Sequence, residues 1–225
     1  SCDNPKVFID SNRNGILDAR EKGLAHIGVS DGEQIVYSDE DGVYRLPAQS
    51  GHTVFVIKPA GFGMPRRKDG LLDRFANQPS QHQGLKYGGV TQADTPCKNF
   101  ALWPEQEMPN RELSVWVFGD PQPKSMRDIG YYRQDLVEPL KANAGAQLGI
   151  SLGDIVHDDL SLYPEIKAVD KSLDTPWMYV AGNHDIDFDA ADDAQSLESF
   201  RAGFGPDTFA WQEHKANFIV LDDVV

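Results

Sequence analysis

The segment LGISLGDIVHD, residues 148–158, decides the fold because it joins a buried strand to a polar motif. Its first five residues are mostly apolar, and a short run of this kind fits a strand that is buried on both faces. Residues 153–158 then supply a glycine, two carboxylates and an imidazole. A strand that ends in such a motif is typical of the ligand-binding edge of an open α/β sheet.

Two other apolar runs end in the same way. Residues 113–119 are followed by Asp120-Pro121-Gln122, and residues 177–181 are followed by Gly182-Asn183-His184-Asp185. Because the carboxyl ends of parallel strands share one edge of a sheet, we expect the three motifs to lie close together.

Helical spacing of apolar residues separates these strands. It predicts helices over residues 126–140, 163–173 and 197–204, and residues 217–221 are predicted to form a closing strand. Strands that alternate with helices indicate an α/β layer with parallel strands over residues 112–225.

The three motifs bring together carboxylate, amide and imidazole groups, which suit hard or borderline divalent cations. A single Gly-Asp after a strand is usually a turn or a helix cap. Three such ends on consecutive strands are hard to explain by turn chemistry alone. The sequence therefore predicts a metal site.

The motifs resemble those of the calcineurin-like metallophosphoesterases, whose pattern runs Asp-x-His, Gly-Asp and Gly-Asn-His-Asp/Glu. The resemblance covers about residues 112–225. It implies an α/β/β/α sandwich, present here in part, with two divalent metal ions such as Mn, Fe or Zn. The expected activity is hydrolysis of phosphomonoesters or phosphodiesters on a small phosphorylated substrate.

The resemblance also implies roles for individual residues. Asp120 would bind the first metal, Asp154 would bridge both ions, and Asn183 would bind the second metal. His184 would protonate the leaving oxygen, with Asp185 orienting its ring.

Two further residues, Gln122 and His157, need separate treatment. Gln122 stands where the family usually has histidine, and its oxygen would coordinate with a changed metal preference. His157 receives no ligand role; it either supports the ligands or packs.

The later histidine motifs of the family, the last usually Gly-His-x-His, are not found in this chain. His214 is the one histidine after His184, and it falls in a predicted hairpin turn at the surface. We therefore expect a fragment that binds metal weakly and turns over little substrate alone.

Residues 1–105 have a different pattern, which predicts six short strands separated by turn residues. They predict an immunoglobulin-like or prealbumin-like β-sandwich, with a long loop or insertion over residues 61–96 and a linker over residues 104–111. The expected fold class is thus two-domain, a β-sandwich over 1–105 followed by an α/β domain over 112–225.

An EF-hand-like calcium loop follows the first predicted strand of this part. Oxygen donors at its characteristic positions are Asp10, Asn12, Asn14, Ile16, Asp18 and Glu21. The alternative is an Asp- and Asn-rich turn that caps itself. The loop resembles those of Gram-positive surface B-repeats and of the domain ahead of some bacterial calcineurin-like phosphohydrolases.

Composition narrows the partners. The chain has 21 basic and 35 acidic residues, which give a net charge of −14. This charge disfavours binding to the phosphate backbone of nucleic acid and therefore disfavours a nuclease function. No apolar stretch is long enough to span a membrane. Cys2 is either a lipidated first residue or an incidental thiol. A lipidated Cys2 and the calcium loop together favour an extracytoplasmic location, either periplasmic or on the cell surface.

The sequence also fits a different function. The chain fits a non-catalytic binding or adhesion module, stiffened by calcium, whose phosphoesterase domain is degenerate. Gln122 and the missing histidine motifs favour that alternative.

Overall fold

The computed structural model describes residues 4–47, 49–81, 84–91, 98–106, 112–143 and 145–224. Cys2 and part of the predicted linker lie outside these residues. The strands described are β1 (Val7–Ile9), β2 (Gly28–Ser30), β3 (Ile35–Tyr37), β4 (Thr53–Val56), β5 (Phe62–Gly63), β6 (Phe75–Asn77), β7 (Phe100–Pro104), β8 (Val115–Gly119), β9 (Leu148–Leu152), β10 (Trp177–Val180), β11 (Phe209–Glu213) and β12 (Ala216–Val220). The helices are α1 (Met126–Tyr131), α2 (Glu138–Lys141), α3 (Tyr163–Lys171), α4 (Asp193–Ser196) and α5 (Glu198–Phe204), with a π-helical segment (Tyr132–Val137) and a short 3-10 turn (Leu160–Leu162).

The three strands that carry the polar motifs form one parallel sheet in the order β10-β9-β8. Gly119 pairs with Leu152, and Leu152 pairs with Val180, so the three strands end side by side. The rings of Phe118 and Trp177 meet edge to face at 5.0 Å on the face that packs against the helices. The predicted parallel strands are confirmed.

The first predicted helix forms in three pieces. The Ser125 side chain accepts a hydrogen bond from the Asp128 amide and begins α1. A π-helical segment and α2 follow it, and Pro139, which has no amide hydrogen, lies in the first turn of α2. Tyr132 and Val137 are buried, whereas Leu136 is 52% exposed, so the wider turn presents a different face from the one that regular spacing predicts.

The N-terminal part contains two sheets. One is antiparallel in the order β3-β2-β4-β6, and the other has the order β1-β7-β5 with β1 parallel to β7. The β-rich character predicted for this part is confirmed. The immunoglobulin-like or prealbumin-like arrangement remains a prediction.

The predicted long loop or insertion over residues 61–96 contains β5 and β6, so the loop interpretation was wrong in part. Phe75 is buried, and β6 pairs with β4, its partner about twenty residues earlier in the sequence. A three-residue strand that is buried on both faces shows no alternation, which explains why periodicity missed it.

The predicted closing strand is β12, which pairs antiparallel with β11 rather than joining the parallel sheet among the described residues. His214 lies in the turn between them with φ of +52° and is exposed. The predicted hairpin turn is therefore confirmed.

Contacts cross the predicted boundary between residues 1–105 and 112–225. Arg66 Nη1 lies 2.9 Å from Asp174 Oδ1, and Lys167 Nζ lies 2.9 Å from Asp69 Oδ2. Buried apolar side chains from both parts belong to one cluster. The division into two domains remains a prediction, and the two parts share a core.

Candidate metal centre

Strained backbone is concentrated at the carboxyl end of the parallel sheet. Asp120, Gln122, Asp154 and Asp158 have φ of +54°, +47°, +47° and +64°. Residues other than glycine seldom adopt positive φ, and such conformations gather at functional sites. The first two motifs thus hold unusual backbone at residues that the sequence selects for chemistry.

The glycines of the motifs act in different ways. Gly153 has φ of +73°, the conformation that glycine favours. A Cβ on Gly182 would lie 2.2 Å from Asp154 Oδ1 and 2.3 Å from the Asp154 nitrogen, so this glycine allows the second and third motifs to touch. At the first motif the positive φ falls on Asp120 and not on Gly119.

Asp154 lies where the three motifs meet. The Gln122 side-chain nitrogen donates to Asp154 Oδ2 at 3.2 Å, and the Gln122 amide donates to the Asp154 carbonyl at 2.9 Å. The His184 amide donates to Asp154 Oδ1 at 3.0 Å. Both carboxylate oxygens of the expected bridging ligand are thus held by the neighbouring motifs.

His184 is oriented by a different carboxylate from the one expected. Its Nδ1 lies 2.7 Å from Asp158 Oδ1, and this hydrogen bond raises the pKa of His184 above its usual value. The prediction that Asp185 orients this ring is therefore wrong.

Asp185 instead fixes the backbone of the two loops. Its buried carboxylate accepts hydrogen bonds from the amides of Ile155 at 3.0 Å and Gly182 at 2.8 Å, and from the Tyr163 hydroxyl at 3.1 Å. Burial raises the pKa of Asp185 to about 6, although these hydrogen bonds favour the charged form. Asp185 therefore shapes the site from beneath it.

Asp158 had no predicted role in the site. It is the second carboxylate of its motif, and this position was the feature of the sequence that could have indicated a role in the site. Donor atoms of His157, Asp158 and His184 all lie within 4.8 Å of one another. These three side chains form a group beside Asp154.

Asp120 and Asn183 lie at the same edge of the sheet with exposed side chains. Asp120 directly follows Gly119, and Asn183 lies three residues after Val180, both strand ends being in register with Leu152. The structure brings Gln122, Asp154 and His184 into direct contact. It places Asp120 and Asn183 at the rim beside them.

The donor set fits divalent cations. Among the described residues, no lysine or arginine forms an ion pair with Asp120, Asp154 or Asp158, and Asp158 pairs only with His157 and His184. Carboxylates gathered without a cationic side chain repel one another, and a bound cation relieves that repulsion. The oxygens and imidazoles present suit Mn, Fe or Zn.

The predicted calcium loop folds around its own donors. Asp10 is fully buried, and its Oδ2 accepts a hydrogen bond from the Gly15 amide at 2.7 Å. Side-chain nitrogens of Asn12 and Asn14 donate to Asp18 Oδ2 at 2.7 and 3.1 Å, and Glu21 Oε2 accepts from the Asp18 amide at 3.0 Å. The loop is compact, as both the calcium site and the self-capping turn require.

Comparison with known proteins adds one match. Residues 11–87 match the family model described as the N terminal of calcineurin-like phosphoesterase. No curated protein matches the chain. No described helix combines the length and the apolar character that crossing a bilayer requires. Residues 11–87 therefore carry the N-terminal domain of the calcineurin-like phosphoesterases, which supports the superfamily that the three motifs indicate.

Proposed function

We propose that this protein hydrolyses phosphomonoesters or phosphodiesters at a dinuclear metal site on the edge of the parallel sheet. The observation that carries the proposal is Asp154, which contacts both the Gln122 side chain and the His184 backbone. A bridging carboxylate needs this central position between the other ligands.

Asp120, Gln122, Asp154 and Asn183 are the residues that would hold the ions. When bound, two divalent cations activate water and offset charge on the phosphoryl oxygens. His184 supplies the proton to the leaving oxygen, and Asp158 holds its ring by the hydrogen bond to Nδ1. Asp185 keeps the Ile155 and Gly182 amides in place beneath them.

The proposed sandwich has support in the exposed face of the parallel sheet. Val117 and Leu152 are 55% and 50% exposed, on the face that the helices do not cover. Apolar side chains on both faces are typical of a sheet that is one inner layer of an α/β/β/α sandwich. We propose that residues 112–225 belong to such a layer and that residues 1–105 form the preceding domain.

The catalytic proposal is tested with Asp154→Asn, which keeps the size of the side chain and removes its charge. We expect Mn²⁺ binding by calorimetry to weaken at least about tenfold, because one charged ligand of both ions is lost. Hydrolysis of p-nitrophenyl phosphate should fall about 100-fold or more, the scale of removing one group that stabilises transition-state charge.

Asp135→Asn is the matched control, because Asp135 is exposed on the π-helical segment away from the motifs. If Asp154→Asn and Asp135→Asn both bound Mn²⁺ as tightly as the wild type, the proposed role of Asp154 in a metal site would be contradicted. Normal Mn²⁺ binding by the wild type without turnover of any aryl phosphate would favour the non-catalytic binding module instead.

We also propose that calcium binds the loop of Asp10, Asn12, Asn14, Ile16, Asp18 and Glu21 in a structural role. A calcium concentration 100 times the Kd should raise the free energy of unfolding by about 2.7 kcal/mol. Glu21→Gln should abolish most of this increase, since Glu21 supplies the carboxylate at the last position of the loop. Melting temperatures in calcium and in chelator measure the effect.

Glu112→Gln, at an exposed position outside the loop, serves as the control for the calcium experiment. Equal melting temperatures of the wild type in calcium and in chelator would support the self-capping turn. Lipid attachment at Cys2 and an extracytoplasmic location remain proposals that agree with a calcium-dependent domain.

A further inference from the structure

His157 lies against the ring of His184. The two ring centroids are 4.3 Å apart with an angle of 26° between the planes, which is a stacked arrangement. The His157 amide donates to the Pro123 carbonyl at 3.1 Å, and the Asp158 amide donates to the His184 carbonyl at 3.2 Å. The backbone around His157 thus joins the first and third motifs.

The nitrogens of His157 contribute little to this placement. Its Nδ1 is buried and has no hydrogen-bond partner among the described residues. Its Nε2 lies 3.9 Å from Asp158 Oδ2, beyond hydrogen-bonding distance. The ring is therefore held by its backbone anchor and its stacked face, and it acts on its surroundings through that face.

Among the residues that the structure describes, the ring of His184 has one side-chain hydrogen bond, from Nδ1 to Asp158. One such bond fixes a distance but leaves the ring free to swing about it. A flat ring stacked at 4.3 Å removes that freedom. Catalytic groups need orientation within about 10–20° of the productive geometry.

We propose that His157 is a positioning residue, whose stacked ring fixes the plane of the His184 imidazole so that the proton reaches the leaving oxygen. This inference rests on the proposed function of His184. It assigns the effect to the ring face of His157, so an aromatic ring without nitrogens should serve equally well.

The experiment compares His157→Phe, which keeps a ring, with His157→Ala, which removes it. Activity is measured on phenyl phosphate and on p-nitrophenyl phosphate. Phenol is the poorer leaving group and depends more on protonation, so its ester reports the position of the general acid.

We expect His157→Ala to lower kcat about tenfold or more on phenyl phosphate and less than about threefold on p-nitrophenyl phosphate, with KM unchanged on both. His157→Phe should stay within about threefold of the wild type on both esters. His26→Ala controls for the loss of a histidine, because His26 is an exposed residue paired with Glu40.

A second measurement does not need turnover. In NMR spectra of isotope-labelled histidine, the His184 ring should keep a single ordered environment in His157→Phe and become averaged in His157→Ala. If the wild type hydrolyses neither ester, the proposed function fails, whereas the positioning of the ring is still decided by these spectra.

Three outcomes would overturn the inference. Equal losses on the two esters in His157→Ala would indicate a structural effect. Equal defects in His157→Phe and His157→Ala, with less bound metal in both, would make His157 a ligand of a cation shared with Asp158 and His184. An unchanged His184 ring in His157→Ala would show that stacking does not fix it.

Discussion

Asp170 carries a carboxyl group that is buried between two tyrosines. It accepts hydrogen bonds from the hydroxyls of Tyr132 and Tyr179, the latter at 2.8 Å. Burial raises the pKa of Asp170 to about 7, and the two hydrogen bonds only partly oppose this effect. The protonated form is therefore favoured in the folded protein up to near neutral pH.

The shift gives a prediction for Asp170→Asn. Below about pH 4 both the folded and the unfolded chain hold the proton. Between pH 4 and 7 the unfolded chain loses it first, so rising pH lowers the stability of the wild type. Asparagine does not titrate, so the Asp170→Asn variant does not lose this stability as the pH rises. From pH 4 to pH 7, its free energy of unfolding minus that of the wild type should rise by up to about 4 kcal/mol.

Urea unfolding of both proteins at a series of pH values from 4 to 8 measures this difference. Comparing the two proteins cancels the other carboxyl groups, which titrate alike in each. A difference that stays constant from pH 4 to 7 would contradict the raised pKa of Asp170.

At the scale of elements, the hairpin of β11 and β12 is held by a cross-strand aromatic pair. Trp211 pairs with Phe218 in register, and their rings stack at 4.5 Å with an angle of 5°. Trp211 is buried, so the pair fastens the hairpin to the core.

Phe218→Ala should therefore lower the free energy of unfolding by about 2 kcal/mol through lost burial and lost pairing. Ile219→Ala is the matched control, because Ile219 is the next residue of the same strand and is 70% exposed. Ile219→Ala should change the free energy of unfolding by no more than about 0.5 kcal/mol. Chemical denaturation measures both, and similar losses in the two variants would count against the stacked pair.

The elements also show what the sequence could predict. The parallel strands β8, β9 and β10 were predicted within about two residues because local apolar runs and polar ends mark them. β5 and β6 were missed because strands of two and three residues are too short to show a periodic pattern. The π-helical segment was missed because regular spacing cannot reveal a wider turn.

The residues of the candidate site were predicted in part. Asp120, Asp154, Asn183 and His184 were selected because strand ends in a parallel sheet must gather at one edge. The roles of Asp158 and Asp185 could not be separated, since both follow a motif glycine at short range. Which carboxylate reaches the His184 ring depends on the backbone turn at Asp158, where φ is +64°.

At the scale of the whole molecule, residues 84–90 connect the N-terminal part to the loop that follows His184. The Tyr87 amide donates to Asp187 Oδ2 at 2.9 Å, and the Val90 amide donates to Glu198 Oε2 at 3.3 Å. Asp187 is 1% exposed, and its Oδ1 accepts from the Asp189 amide at 3.1 Å. One buried carboxylate therefore ties the N-terminal segment to the loop that follows His184.

Asp187→Ala should release this segment, because the amides of Tyr87 and Asp189 lose their acceptor at a buried position. The free energy of unfolding should fall by about 1–3 kcal/mol, the usual effect of leaving buried donors unpaired. Limited trypsin digestion should cut after Lys86 several times faster than in the wild type, since the released segment opens more often. Asp189→Ala, at an exposed neighbouring position, should leave both stability and the cutting rate nearly unchanged. If Asp187→Ala were cut after Lys86 no faster than this control, the two parts would instead have to be held by α5, where the Ser199 hydroxyl donates to the Gly88 carbonyl and Glu198 accepts from the Val90 amide.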